Sequence, residues 1–229
     1  MRTQPAPCIS QTARLLSDPK RTALLWALMD GQARPAVELA TMTGVSMASC
    51  IAHLSRLVAA GLLWAQARGE QRVFRLAAPD VGTVMDALAM TTMAGIARSG
   101  APVCPDLVAP TAMTRARCCQ DHLGGELAVG LYLRMRTAGW TACLEQRIEI
   151  TPKGATKLAG LGIFVQALAQ PIVCDCFDWS EQQPHLGGAL GTALLQLFLQ
   201  AGWVSVIPGS RALQVSTVGL GEIARIATL

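Results

Sequence analysis

Residues 36–76, AVELATMTGVSMASCIAHLSRLVAAGLLWAQARGEQRVFRL, pass from helical to strand periodicity in an order that decides the fold of the N-terminal part. Val37, Leu39 and Ala40 fall at helical spacing, and Thr43-Gly44-Val45 makes a tight turn in which Gly44 is free to take the left-handed conformation that ends a helix. Ser46 stands where it can cap a second helix. On that helix Ile51, Leu54, Leu57 and Val58 form an apolar face and leave Met47, Ser49, His53 and Arg56 on or near the other. Gly61 stops it, and two short runs, 62–67 and 72–76, flank Gly69 as a hairpin with Arg68, Arg72 and Arg75 around its tip. Two helices, a tight turn and a basic hairpin make a winged helix-turn-helix. Its free helical face suits a major groove and its wing suits a phosphate backbone.

The charge balance agrees. Residues 1–77 carry nine Lys/Arg against four Asp/Glu, whereas residues 78–229 carry ten against eleven, so the basic excess behind the formal charge of +4 lies in the half expected to meet DNA. At 52% apolar and 15% charged, the chain has the opposite of a disordered composition, and 229 residues suffice for two domains. Residues 1–16, MRTQPAPCISQTARLL, lack the long apolar core and small-residue cleavage site of a secretory signal. The apolar run at 158–173 is broken by Gly160, Gly162, Gln166, Gln170 and Pro171, which excludes a membrane span there. Eight cysteines without a signal are expected as reduced thiols in a cytoplasm.

Upstream, residues 9–30 read as a helix interrupted early by Asp18-Pro19, with Leu24, Leu25 and Leu28 on its buried side. The string Leu16-Ser17-Asp18-Pro19-Lys20-Arg21-Thr22-Ala23-Leu24-Leu25 is followed in order by Glu38-Leu39-Ala40, Gly44-Val45-Ser46, His53-Leu54, Leu57 and Ala60-Gly61-Leu62-Leu63. Over about residues 10–98 this resembles the ArsR/SmtB family of bacterial winged-helix regulators. The resemblance implies a homodimeric, double-stranded-DNA-binding transcriptional regulator, usually a repressor released by an effector. It places Ser46, Met47, Ser49 and His53 on the recognition helix and residues 68–72 in the wing. Two departures matter. Where the family's cysteine-bearing metal motif would follow Glu38-Leu39, this chain has Ala40-Thr41-Met42, and the helix after the wing has no histidine for the family's other metal site. Ala48 and Ala52 also leave the recognition face poor in charge, so sequence readout leans on the wing and on DNA shape.

Residues 79–98, PDVGTVMDALAMTTMAGIAR, predict a helix with Val81, Val84, Met85, Leu88 and Ile96 along one stripe, which serves either as core or as the surface pairing two subunits. Residues 1–98 are thus expected as the DNA-binding and dimerisation domain. Residues 99–113, with three prolines, are expected as a linker, and 114–229 as a second domain.

That second domain resembles itself. His122-Leu123-Gly124-Gly125 recurs as His185-Leu186-Gly187-Gly188, and in both copies an Ala-Gly-Trp triplet follows with its Gly seventeen positions after the His. Ile150-Thr151-Pro152-Lys153-Gly154 matches Val215-Ser216-Thr217-Val218-Gly219 after a shift of two. The fold expected is mainly α with small β-hairpins, an α+β arrangement. It comprises the winged helix and a C-terminal pseudo-repeat of two helix-hairpin-helix modules, at about 114–170 and 171–229, in which the histidines open helices.

Each copy carries a cysteine shortly before its histidine, making Cys119, His122, Cys176, Asp178 and His185 candidates for one effector centre. Thiolate, imidazole and carboxylate together suit a Zn-like divalent ion, and nearby thiols suit thiophilic species or a thiol-redox response. The plain alternative is packing, since free cysteine is among the most buried residue types. Cys8, Cys50, Cys104 and Cys143 read as packing or incidental, with Cys50 on the inner side of the recognition helix. A protein-interaction platform is a further alternative for this domain. An enzyme using Cys119, His122 and Asp178 as nucleophile, base and orienter is disfavoured, because no phosphate loop, nucleophile elbow or cofactor fingerprint accompanies them.

Overall fold

A computed structural model describes residues 9–99, 109–144 and 147–228. Cys8, Cys104 and most of the expected linker lie outside them. The chain divides into two compact units. One runs to Met85; the other begins at Asp86 and includes everything from Thr111 onward. Among the described residues, no single helix is long and apolar enough to cross a membrane.

In the first unit the helix expected at 9–30 with an interruption at Asp18-Pro19 is divided there into α1 (Ile9–Leu16) and α2 (Pro19–Trp26). The break follows from Asp18. Its backbone is extended, its Oδ1 accepts from the N–H groups of Lys20 (3.0 Å) and Arg21 (3.2 Å), and Pro19 takes the first position, where no N–H is needed. Next come β1 (Arg34–Pro35), α3 (Ala36–Thr43) and α4 (Met47–Ala59), the last two crossing at 110° over Gly44 with its φ of 65°. Leu24, Leu25, Leu28, Leu39, Leu54 and Leu57, all fully buried, form the core. Two local expectations need correction. Ile51 is half exposed, and its place in the core belongs to Cys50, one residue around the helix. Ser46 occupies the cap position of α4, but its side chain makes no capping bond.

β2 (Leu63–Arg68) and β3 (Gln71–Leu76) form the wing, and β1 pairs with β3 to give a three-stranded sheet in the order β1-β3-β2. The register Arg68↔Gln71 leaves Gly69 and Glu70 as a two-residue turn, with Gly69 at φ 61°. β1 is anchored by Arg34, whose guanidinium forks onto both oxygens of Asp30 (2.6 Å each) while its Nε donates to Glu38 at 2.8 Å.

The helix after the wing, α5 (Pro79–Ser99), contains the boundary between the units. Its apolar residues do not make the single stripe expected. Met85 is buried while Val84 and Leu88 are half exposed, because Asp86 and Met90 occupy the inward positions of the next turns.

The second unit begins with α6 (Thr111–Arg115), so residues 111–113, expected in the linker, are helical. Two successions of elements follow in the same order. The first is β4 (Arg117–Cys119), β5 (His122–Gly124), α7 (Glu126–Thr137), β6 (Thr141–Leu144), β7 (Arg147–Ile150) and α8 (Pro152–Gly160). After a short 3-10 turn at Val165–Ala167, the second is β8 (Cys174–Phe177), β9 (Pro184–Gly187), α9 (Gly188–Gln200), β10 (Val204–Val206), β11 (Leu213–Val215) and α10 (Thr217–Arg225). Each therefore opens with a hairpin that periodicity did not reveal. His122 and His185 lie on strands, not at helix starts, since α7 waits for Gly125 (φ 90°) and α9 for Gly187.

The last helices of the two successions start alike. Thr151 Oγ1 accepts from Gly154 N and Ser216 Oγ from Gly219 N, both at 3.0 Å. A Cβ on Gly154 would lie 2.0 Å from the Trp140 carbonyl oxygen, and one on Gly219 would lie 2.1 Å from that of Trp203. These are the matched glycines of the sequence, and close backbone approach is the reason for both. α7 packs on β9 and α9 on β5, over one shared core that includes Leu131, Met135, Leu158, Leu190, Phe198 and Ile223.

Candidate functional site

The winged unit neutralises most of its own acids. Asp18 pairs with Arg21 at 3.2 Å, and Asp30 and Glu38 pair with Arg34, so three of the four acids before residue 78 are held by two scaffold arginines. Arg56, Arg68 and Arg72 form no ion pair among the described residues and are exposed, as are Ser46 and Met47. Ser49 and His53 are half-buried, and His53 Nδ1 is enclosed with no hydrogen-bond partner among the described residues. Arg75 differs from its neighbours on the wing. Its guanidinium lies 4.5 Å from the centroid of the Trp64 ring and braces β2 against β3.

In the second unit, the hairpin registers Cys119↔His122 and Cys176↔His185 set one cysteine directly across from one histidine in each pair of strands. Residues opposite each other in antiparallel strands project to the same face, so each hairpin presents a thiol beside an imidazole. The two faces meet. Cys119 Sγ is 3.8 Å from Cys176 Sγ, His122 Nε2 is 3.1 Å from His185 Nε2, and one ligand atom from each of the four lies within 4.8 Å of all the others. All four side chains are buried. Gly191 of α9 permits this approach, since a Cβ there would stand 3.0 Å from His122 Cβ.

Each imidazole has a carboxylate behind it. Asp121 Oδ1 lies 3.1 Å from His122 Nδ1, and Thr192 Oγ1 donates to Asp121 Oδ2 at 2.9 Å. Asp178, the fifth residue expected here, contributes no atom to the cluster and stands behind His185, Oδ2 to Nδ1 3.5 Å. That carboxylate is fully buried and well supplied with donors. It accepts from Gly125 N (2.7 Å), Ser180 N (3.0 Å) and Ser180 Oγ (2.7 Å), and pairs with Arg117 Nη2 at 3.0 Å. Burial works against its charge, but Arg117 and these donors outweigh burial and hold its carboxyl below the usual carboxylate range. Of the three residues of the enzyme alternative, Cys119 and His122 share the cluster, but the carboxylate beside His122 is Asp121 and Asp178 stands behind His185 instead.

Arg117 links the cluster to α5. Its side chain is fully buried, stacks on Trp179 at 4.1 Å from the ring centroid, and lies 3.5 Å from Asp86. Asp86 in turn accepts from Trp179 Nε1 at 2.6 Å and pairs with Arg211 at 3.4 Å. One turn further along α5, Met90 Sδ lies 3.7 Å from Cys119 Sγ. Neither Asp86 nor Met90 was singled out in the sequence. The one signal there is an acid, Asp86, set between Met85 and Ala87 in the middle of the helix.

Within this enclosure the Cys119 thiol is pushed up to about 12 by its contact with Cys176 and by burial, against the opposing pull of both histidines. Burial opposes charge on His122 as well, yet Cys119 and Asp121 raise its affinity for a proton above the ordinary value. Cys119 and His122 therefore each favour the charged form of the other.

No protein-family model matches the chain. An uncharacterised HTH-type transcriptional regulator of Bacillus subtilis, YdfF, is 32% identical over 216 residues, covering 93% of this chain and 94% of its own length. The chain belongs to the HTH-type transcriptional regulators. Among solved structures, the homodimeric winged helix-turn-helix DNA-binding domain of Mb0332 from Mycobacterium bovis, a possible ArsR-family regulator, is 24% identical. That match covers 45% of this chain and 99% of that one, with a TM-score of 0.35. The transcriptional repressor BigR of Xylella fastidiosa is 22% identical over 38% of this chain and 85% of its own, with a TM-score of 0.33. The full-length agreement with YdfF extends the family membership across both units.

Proposed function

We propose that this regulator is an effector-released repressor of the ArsR type that binds operator DNA as a homodimer in the cytoplasm. The observation that carries the reading is the exposure of Arg56, Arg68 and Arg72 on α4 and the wing, while Asp18, Asp30 and Glu38, three of the unit's four acids, are held by Arg21 and Arg34. The residues offered to DNA are Ser46, Met47, Ser49, His53 and Arg56 on α4, with Arg68 and Arg72 on phosphates. The test is binding to fragments of its own upstream region across a salt series. Replacing Arg68 and Arg72 with Ala is expected to weaken binding to every sequence alike and to lower the salt slope by about four, roughly one unit for each of the four phosphates that the two wings of the dimer no longer neutralise. Absence of salt-sensitive binding by the parent protein overturns the reading, and a weakening confined to one base position overturns the phosphate role.

The second unit is the effector-sensing domain, built from two copies of a hairpin-helix-hairpin-helix module. Cys119, His122, Cys176 and His185 are its ligands for a Zn-like divalent or thiophilic ion. A tetrahedral ion with sulfurs at about 2.3 Å and nitrogens at about 2.0 Å separates sulfur from sulfur by about 3.8 Å and nitrogen from nitrogen by about 3.3 Å. The observed separations of 3.8 Å and 3.1 Å fit that polyhedron. Asp121 beside His122 Nδ1 at 3.1 Å favours the tautomer that leaves His122 Nε2 free to bind an ion, and His185 Nδ1 has Asp178 3.5 Å behind it with no hydrogen bond among the described residues. Asp178 acts as a positioning residue. A thiol-redox response of the same centre is the second reading, favoured by the 3.8 Å between the two sulfurs.

A further inference from the structure

We infer that Met90 is a fifth donor to this centre and that it makes the site selective for soft, thiophilic ions of the Cu(I) class over Zn(II). The inference rests on the metal reading above and adds the identity of the ion.

Three observations meet at Met90. Its Sδ lies 3.7 Å from Cys119 Sγ, nearly the same as the 3.8 Å that separates the two cysteine sulfurs. Two sulfurs bound to one ion at about 2.3 Å stand at about this separation, so the spacing of Met90 from Cys119 is one that two sulfur ligands of a single ion would have. Its side chain is half-buried, which gives the sulfur room to swing by rotation about its flexible, unbranched chain. The backbone beneath it is fixed, because Asp86, one turn earlier on the same face of α5, is held by Trp179, Arg117 and Arg211. α5 therefore delivers the thioether to the cluster at a set height while leaving the sulfur free to engage.

A thioether is a neutral, polarizable donor with little affinity for a hard or borderline dication that two thiolates and two imidazoles already satisfy. For a soft monovalent ion the ranking reverses. Three sulfurs outweigh the imidazoles, and one positive charge is already balanced by thiolate. Zn(II) is then held by the hairpins alone, whereas a soft ion is held by the hairpins and by α5. Since α5 also carries the exposed Val84 and Leu88, only the soft ion is bonded directly to the helix expected to join two subunits.

The experiment uses the full-length protein purified without a metal-affinity tag, titrated under anaerobic conditions with Zn(II) and with Cu(I) buffered by a competing chelator. The parent is compared with Met90→Leu, a volume-conserving change. The expected result is a fall of at least about tenfold in Cu(I) affinity with Zn(II) affinity kept within about threefold. X-ray absorption of the Cu(I)-loaded protein should also show three sulfur neighbours in the parent and two in the variant. If the parent binds neither ion, the metal reading falls and this one with it. If the parent binds both and Met90→Leu changes neither affinity nor sulfur count, Met90 is a packing residue and the four-ligand reading stands alone. A Met90→Leu protein that loses both ions equally overturns the selectivity, because the residue then supports the fold of the site without choosing its occupant.

Discussion

The two units keep most of their functional charge at different depths. In the winged unit Arg56, Arg68 and Arg72 stand in solvent, while the charge buried there, Asp30 at 3% exposure with Arg34 and Arg21 at 8%, sits in pairs at helix and strand entries. In the second unit Arg117, Asp178 and His185 have no exposure, while His122 and Asp86 have 3% and 1%. Exposed charge costs little to fold and remains accessible to a large partner. Buried charge must be satisfied from within, and what satisfies it is then fixed in place. A nucleic-acid surface needs the first arrangement, and a centre of defined ligand geometry needs the second. The contrast teaches that one chain can keep an accessible basic surface and a fixed buried centre by placing the same residue types at different depths.

The largest effect that would break this comparison is at Asp178. Replacing Asp178 with Ala leaves Arg117 buried beside one remaining acid and leaves Gly125 N without its acceptor, so unfolding by urea should show a loss of about 3–5 kcal/mol. Surface arginines such as Arg68 should move stability by no more than about 0.5 kcal/mol when changed to Ala. A cost below about 1 kcal/mol at Asp178 would mean that water reaches the network and that the two units are not as different as their exposures imply.

α5 carries the comparison within a single helix. Asp86 and Met90 turn toward the second unit's interior, whereas Val84 and Leu88, two positions back from each and so about 200° around the helix, face outward. The outward pair is the proposed subunit surface. Substituting Asp for both Val84 and Leu88 buries two unpaired carboxylates from each subunit in any such interface, and sedimentation should show the dimer weakened by at least about a hundredfold, roughly 2.7 kcal/mol. A dimer of unchanged strength would move the interface to another face and leave Val84 and Leu88 as ordinary exposed apolar residues.

The winged unit was legible because its punctuation is carried by single residues with single uses. Gly44, Gly61 and Gly69 each take positive φ where the sequence required a helix end or a turn. The error at Ile51 came from periodicity, which fixes a helical face only to within about one residue and so put Ile51 inside together with Cys50. In the second unit, internal similarity found the cysteines and histidines that come together, although it could not show the opening hairpins. β4 and β5 have three residues each, too few for alternation to register, and their turn depends on Gln120 at φ 56°, which no turn composition signals. Asp86 and Met90 were hidden for a different reason. A helix that is apolar on two sides offers no pattern by which to choose which residue faces a site.

The smallest expected effect sharpens the comparison from the exposed side. Asp18 is an acid of the winged unit with 29% of its side chain exposed, and it both caps α2 and pairs with Arg21. Its slight burial raises its pKa, but the Arg21 N–H, the Arg21 charge and the Lys20 N–H outweigh this and hold the carboxyl below the ordinary aspartate value of 3.8. A carboxyl with a lower pKa in the folded state than in the unfolded state contributes stability that is present above the unfolded pKa and is lost as pH falls through the folded one. Replacing Asp18 with Asn keeps a capping oxygen and removes the charge, so it should cost a few tenths of a kcal/mol, whereas Ala should cost about 1 kcal/mol at neutral pH. Both differences from the parent should shrink as pH drops below about 4, since the parent's own carboxyl is then taking up its proton. Urea midpoints of the three proteins at neutral pH and in the acid range decide the matter. A loss at Asp18→Ala as large as the one expected at Asp178, or one that does not shrink in acid, would show that this exposed charge is bound into its fold as tightly as the buried ones.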